Sequence, residues 1–190
     1  MRYYTEKKPN WLEWITPERF NDKELFRIVI FYVFHSPCNG LSAMKKTLQE
    51  YGWNTPWRRP YKLNLQLKDA SSNPNLIYSA QSYENMTEAL EKSNLADNFP
   101  SDFSTERICI HNSQNNQFLS VFYHIRNSLA HGRLNMVNYN KECIFVLEDG
   151  SIERKSGQFK VSARMILRKR TLLNWIEIIE IGVKDIVLKK

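Results

Sequence analysis

Apolar residues recur at helical spacing in five stretches of this chain, and they predict a mainly helical fold. The first stretch begins at Asn21 or Asp22, either of which can cap a helix, and continues to about His35. It is apolar nearly all round, so we expect this helix to lie in the centre of the fold. Shorter helices are expected over 41–51 and 80–93, and a long amphipathic helix from Leu172 to Val187.

The clearest helical pattern follows Asn112 or Ser113, either of which is a good N-cap. Its apolar positions form one full stripe, made by Phe118, Val121, Phe122, Ile125 and Leu129. Gly132 suits the left-handed position that ends many helices. This pattern therefore predicts a helix that ends near His131.

The remaining segments are expected to be irregular, apart from one hairpin. Residues 1–20 are interpreted as an N-terminal arm, and 53–79 and 94–112 as long connections. Residues 143–148 resemble a strand, Asp149-Gly150 is a typical turn signal, and apolar residues resume at Ile152 and over 159–167. The expected fold is a single domain over 1–190, a helical bundle with a small β-hairpin before the last helix.

Composition excludes several classes of protein. With 42% hydrophobic and 13% aromatic residues in 190, the chain is not expected to be disordered. Its three cysteines stand far apart, which fits neither a disulfide framework nor a zinc motif, so we expect no metal and no cofactor. The longest apolar run, 25–34, is too short to span a bilayer, so we expect a cytoplasmic protein without a membrane partner.

The positive charge is concentrated near the end of the chain. The net charge is +7, and the last forty residues hold ten basic and four acidic residues. Such a region suits a polyanion such as RNA. The run Arg168-Lys169-Arg170 is a candidate RNA contact, and a solvated helix entrance explains it equally well.

The side of the 113–131 helix opposite its apolar stripe carries the residues with chemical potential. His124, Asn127 and His131 fall together there, and Arg126 points between the two faces. This back face is too apolar for a freely solvated surface because it also carries Leu119, Tyr123 and Ala130. We therefore expect it to pack against another part of the chain or against a second copy.

The run from Phe122 to Leu134, FYHIRNSLAHGRL, resembles the signature helix of the HEPN superfamily. The match falls on Arg126, Asn127 and His131, with Ala130 and Gly132 in support. Over about residues 113–188 the chain is similar to a bacterial, plasmid-borne branch of that family. The resemblance implies a helical bundle that pairs as a homodimer, with the motifs of both subunits facing one cleft. Many such proteins are metal-independent endoribonucleases of toxin or phage-defence systems, and others only bind or dimerise.

The residue types fit that chemistry directly. Cleaving RNA without a metal requires removal of the 2′-hydroxyl proton, charge stabilisation at phosphate, and protonation of the leaving 5′ oxygen. His131 would be the acid or base, Arg126 the phosphate clamp, and Asn127 a group that positions phosphate or imidazole. His131 lies in the last helical turn, where the helix dipole favours the imidazolium and hence a proton donor.

Structural explanations compete with each of these roles. His131 could cap the helix, Arg126 could form a surface salt bridge, and Asn127 could be a surface amide. The preferred interpretation of His124 is a hydrogen-bonded packing histidine, and both His124 and Tyr123 are retained as candidate auxiliary residues of the site. Elsewhere in the chain, His35 and His111 are interpreted as structural.

Partners are expected to include RNA and a second copy of the chain. Arg133 is a further candidate RNA contact, and it occupies the position at which some relatives carry a tyrosine modified by a nucleotidyltransferase. That regulation is therefore excluded at this position, although an antitoxin or nucleotidyltransferase partner is retained as a hypothesis. The main alternative function is a catalytically inactive module that binds RNA, a nucleotide or a protein. A helix-turn-helix DNA binder using 41–51 lacks a recognition helix.

Overall fold

A computed structural model describes residues 5–6, 22–38, 41–53, 60–73, 75–96, 99–114 and 116–181. Its helices are α1 (Lys23–Ile30), α2 (Pro60–Asp69), α3 (Met86–Lys92), α4 (Gln117–Ala130) and α5 (Lys169–Ile181). Its strands are β1 (Thr5–Glu6), β2 (Ile77–Ala80), β3 (Arg107–His111), β4 (Leu134–Tyr139), β5 (Glu142–Ile152) and β6 (Phe159–Arg168). A π-helical turn, Phe31–His35, continues α1, and a 3₁₀ turn, Tyr83–Asn85, precedes α3.

The strands form one mixed sheet in the order β2-β3-β6-β5-β4, and β1 pairs with the start of β6. Strands β2 and β3 are parallel, and the other pairs are antiparallel. The chain is therefore α/β, and the mainly helical bundle predicted from sequence is wrong. The expected hairpin is real, but it forms the centre of the sheet instead of a small appendage to helices.

Both faces of this sheet are buried, which explains why its strands lack a simple alternating pattern. On one face, Ile108, Phe145 and Met165 pack against a layer that contains α1, α2, α4 and α5. On the other face, Cys109 and Val146 pack against α3 and the segment that follows it. A strand buried on both sides has apolar residues in succession, and such a run is easily mistaken for part of a helix or a loop.

Three further predictions about elements are corrected. Residues 41–51 form turns and no helix, with Lys45 in the left-handed region at φ 52°. Their apolar spacing does not define a buried face, because Leu41 and Met44 are exposed and only Leu48 is buried among the core residues.

The connections expected over 53–79 and 94–112 contain α2, β2 and β3. Their tertiary partners, including Trp175, whose indole nitrogen donates to the Leu67 carbonyl, stabilise them.

Other predictions are confirmed. Asp22 caps α1 by accepting hydrogen bonds from the backbone of Glu24 and Leu25. The stripe of α4 is buried throughout. The helix expected over 80–93 is present in shorter form as the 3₁₀ turn and α3.

Apart from β1, the N-terminal arm lies outside the described residues, as does the part of the expected last helix beyond 181. Among the described helices, none has the length and apolar character needed to cross a membrane.

A buried ion pair connects the two central strands on the α3 side of the sheet. The Arg164 Nε atom lies 3.0 Å from a Glu148 carboxylate oxygen, and both side chains are almost fully buried. The same guanidinium donates to the carbonyl oxygens of Leu95 and Ala96. Arg164 thus holds the segment after α3 against the sheet.

We expect Arg164→Met to lower the free energy of unfolding by about 3–5 kcal/mol, because it removes the buried guanidinium that bonds the Glu148 carboxylate. Arg170→Met is the matched control, since Arg170 is exposed and an exposed substitution changes stability by only about 0.5 kcal/mol. Urea unfolding followed by circular dichroism measures both. Equal losses for the two variants would contradict a stabilising role for the buried pair.

Candidate functional site

The motif helix α4 is capped at both ends. Asn116 caps its start by accepting hydrogen bonds from the backbone of Phe118 and Leu119. The N-cap predicted at Asn112 or Ser113 is therefore wrong. At the other end, the backbone amide of Arg133 donates to the Ser128 carbonyl at 2.8 Å. This is the six-residue closure of a Schellman motif, and Gly132 adopts the left-handed φ of 66° that the motif requires.

The back face of α4 packs against its own chain. The Nδ1 atom of His124 lies 2.7 Å from the Oδ2 atom of Asp149, and Asn127 donates to the same oxygen at 3.1 Å. The Nε2 atom of His124 lies 2.8 Å from the backbone carbonyl of His111, at the end of β3. Both His124 and Asp149 are buried. The second packed surface expected from sequence is therefore, at least in part, strand β5 of the same molecule.

Asp149 reaches α4 because strands β5 and β6 are out of register beside it. Asp149 pairs with Ala163 and Gly150 with Val161, so Ser162 is an additional residue in β6. Only glycine fits at 150, because a Cβ atom there would lie 2.4 Å from the Lys160 carbonyl oxygen. The turn predicted at Asp149-Gly150 is thus wrong. The residues lie within β5, and the glycine is required by the close approach of two strands.

Arg126 extends this network from the side. Its Nη1 atom donates to the Asn127 side-chain oxygen at 2.9 Å, so both ends of the Asn127 amide are bonded within the chain. Arg126 does not line the cleft described below, whereas Asn127 and His131 do. The phosphate contact expected for Arg126 stays a prediction.

A cleft of about 500 Å³ opens between the end of α4, the end of β3 and the β5–β6 bulge. It contains three histidines, together with hydroxyl and amide groups from several elements. Its lining residues include Tyr83, His111, Asn112, Ser113, Tyr123, His124, Asn127, His131, Asp149, Ser151 and Ser162. His131 is exposed at the end of α4, and His124 is buried behind it. The residues that sequence analysis placed on the back face of the helix and that line this cleft are Tyr123, His124, Asn127 and His131.

His111 is the residue in this cleft that sequence analysis interpreted as structural. Its ring stacks on Tyr83, with centroids 3.9 Å apart and planes inclined by 7°. Lys160 Nζ lies 3.6 Å from the centroid of the same tyrosine ring. Burial lowers the pKa of His111 below its ordinary 6.5, and the charges of His124 and Lys160 act in the same direction. Sequence analysis could not place His111 near α4, because strand β3, which ends at His111, was not predicted.

The candidate RNA contacts divide into two groups. Arg133 lies beside the cleft, where its Nη1 atom donates to the Gly150 carbonyl at 3.3 Å and its guanidinium lies 4.1 Å from the Phe159 ring. Burial lowers the pKa of Arg133. The run 168–170 begins at the opposite end of β6, where Arg168 lies about 20 Å from Ser162 in the cleft wall at about 3.3 Å per residue. The structure does not bring that run together with the cleft.

Two residues of that distant run are already paired. Arg168 lies 3.1 Å from a Glu142 carboxylate oxygen, and Lys169 lies 2.9 Å from Asp22 and 2.5 Å from Glu24. Arg170 is exposed. Lys169 thus joins the start of α5 to the start of α1, which is a structural use of its charge.

Other arrangements in the described ranges are less suited to chemistry. No group of three or more His, Cys, Asp or Glu side chains there is placed to hold a metal ion. A second cleft of about 520 Å³ contains Glu91, Asp102 and Arg107 but no histidine, and Arg107 donates to a backbone carbonyl. The Asp149–His124 pair resembles part of a hydrolase triad. The Nε2 atom of His124, however, is bonded to the His111 carbonyl and not to the hydroxyl or thiol that a triad requires.

We expect His124→Ala to lower the free energy of unfolding by about 3–5 kcal/mol, because it removes the histidine that bonds the buried Asp149 carboxylate. His35→Ala is the matched control and should change stability by less than about 1 kcal/mol, since no described residue hydrogen-bonds its ring. Thermal and urea unfolding measure both. A small loss for His124→Ala would show that the pair does not stabilise the packing of α4.

We expect the pKa of His111, measured from its ring proton shifts by NMR, to lie below 6.5 in the folded protein. Tyr83→Ala should raise it toward 6.5, because removal of the stacked ring exposes the imidazole to water. Tyr139→Ala, on β4, is the matched control and should leave it unchanged. An unchanged value in Tyr83→Ala would contradict burial by the stack as the cause.

No protein-family model matches this chain, and neither a curated protein nor a solved structure is significantly similar to it.

Proposed function

We propose that the cleft binds RNA and cleaves its backbone without a metal ion, as a toxin or phage-defence endoribonuclease would. The observation that carries this proposal is the presence in one cleft of His131, an exposed histidine, and His111, a half-buried histidine with a lowered pKa. Two proton-transfer groups are what transesterification at a ribose phosphate requires. The Arg126/Asn127/His131 sequence pattern supports the same function independently.

Positive charge beside the cleft supports an anionic substrate. Lys160 contacts Tyr83, and Arg133 donates to the backbone of Gly150, so each cation touches a residue that lines the cleft. Cations at this position would stabilise the extra charge that the phosphate gains in the transition state. Hydroxyl groups of Ser113, Ser151 and Ser162 add hydrogen-bonding groups to the wall.

The proposed homodimer would form on the part of α4 that its own chain leaves open. Ala130 is exposed, and Tyr123 and Leu119 are only half-buried. A two-fold axis through this surface would bury the same patch twice. It would also bring Arg126 of one protomer near the other, which the phosphate-clamp hypothesis requires.

The second candidate function is a module that binds RNA, a nucleotide or a protein without catalysis. The hydrogen bond from Arg126 to Asn127 favours this alternative, because within one protomer Arg126 positions the Asn127 side chain. Salt-dependent RNA binding without any cleavage would support this alternative.

We expect the purified protein to cleave single-stranded RNA in EDTA and to leave 2′,3′-cyclic phosphate ends, because the nucleophile is the RNA's own 2′-hydroxyl. His131→Ala should lower the rate by about 10²-fold or more, the usual effect of losing a general acid or base. Gel analysis of a labelled oligonucleotide measures the rate, and mass spectrometry identifies the ends.

His35→Ala is the matched control for this experiment and should cleave at the wild-type rate. An RNA with 2′-O-methyl groups should resist cleavage. A requirement for magnesium, cleavage of the methylated RNA, or full activity of His131→Ala would contradict the proposed function.

A further inference from the structure

Three histidines contribute to the cleft, but their ring nitrogens are not equally available. His124 is bonded at both nitrogens, to a carboxylate and to a carbonyl. The carbonyl accepts a hydrogen bond from Nε2, and Nδ1 is bonded to the Asp149 carboxylate. Neither ring nitrogen of His124 is therefore available to take a proton from a substrate. His124 is a positioning residue that holds the last residue of β3.

His111 is arranged in the opposite way. Its backbone carbonyl is held by His124, and its ring plane is held against Tyr83. No hydrogen bond from a described residue reaches its ring nitrogens, and the ring is half-buried in the wall of the cleft. The backbone and the ring are thus both oriented, while the nitrogen atoms remain available. This is the arrangement expected of a general base.

We propose that His111 is the general base of the site and that His131 is the general acid. This assignment rests on the proposed ribonuclease function and supplies the second proton-transfer group of that reaction. A lone pair of the His111 ring takes the proton of the ribose 2′-hydroxyl, and the 2′ oxygen forms a bond to phosphorus. The bond from phosphorus to the 5′ oxygen breaks. That oxygen keeps the electron pair of the broken bond and takes a proton from His131. The products are a 2′,3′-cyclic phosphate and a 5′-hydroxyl.

The groups around His111 favour its neutral form. Tyr83 covers one face of the ring, Lys160 on β6 contacts the Tyr83 ring, and His124 on α4 bonds both the His111 carbonyl and Asp149 on β5. His131 lies on the exposed end of α4, and Tyr123 also lines the cleft. Burial, and after it the electrostatic effects of His124 and Lys160, lower the pKa of His111, so a larger fraction of its ring is neutral near pH 7 than for an ordinary histidine. A base must be neutral to act, so the rate should fall as the pH drops through this pKa.

An RNA dinucleotide with a sulfur atom in place of the bridging 5′ oxygen distinguishes base from acid. A thiolate leaves without being protonated, so loss of the acid no longer matters with this substrate. With ordinary RNA, His111→Ala and His131→Ala should each lower kcat/KM by about 10²-fold. With the sulfur substrate, His131→Ala should recover to near the wild-type rate, and His111→Ala should remain about 10²-fold slower.

Two further variants separate chemistry from packing. His111→Gln retains most of the stacked volume and should be as slow as His111→Ala, with a melting temperature near that of the wild type. Tyr83→Ala should shift the acidic limb of the wild-type pH–rate profile to higher pH, because it raises the pKa of the base. His35→Ala should match the wild type with both substrates.

The outcomes are distinguishable from failure of the proposed function. Absence of cleavage by the wild type contradicts the ribonuclease and the role of His111 together. Cleavage that depends on His131 but proceeds at the wild-type rate in His111→Ala contradicts only the assignment of His111. Recovery of His111→Ala, and not of His131→Ala, with the sulfur substrate overturns the assignment by reversing the two roles.

Discussion

The Asp149 carboxylate, through the hydrogen bonds that it accepts from His124 and Asn127, fixes helix α4 against the sheet. A buried carboxylate is tolerated only when hydrogen-bonded or paired with a cation, so α4 must present these two side chains to β5. His124 in turn bonds the carbonyl of His111, which connects α4 to β3 as well. One interaction therefore joins three elements, and the cleft lies where they meet.

An irregularity in the pairing of β5 with β6 positions this carboxylate. The additional residue Ser162 in β6 changes the register beside Asp149, and Gly150 allows the two backbones to approach closely. Bulges of this kind commonly lie beside functional sites because they redirect a side chain. Here the bulge places Asp149 under α4 and Ser162 in the wall of the cleft.

The histidines of the cleft show how one residue type serves different purposes in different surroundings. His124 is bonded at both nitrogens and stabilises the packing of α4, whereas His131 is exposed at the helix end. His111 lies between these extremes, since a stacked tyrosine orients its ring but no described residue hydrogen-bonds its ring nitrogens. In the proposed reaction, burial favours the neutral form of His111, which acts as the base, and the exposed His131 supplies the proton.

The sequence by itself determined the elements whose signals are local. The capped start of α1, the apolar stripe of α4 and the left-handed Gly132 follow from side chains within a few residues, and so did the placing of Asn127 and His131 on one face. Only the tertiary structure decided that the fold is α/β, because strands buried on both faces show no alternation and gain their stability from distant partners. It also decided that Asp149-Gly150 lies inside a strand, and that His111 joins the site. These depend on contacts between residues far apart in the chain, which no local pattern encodes.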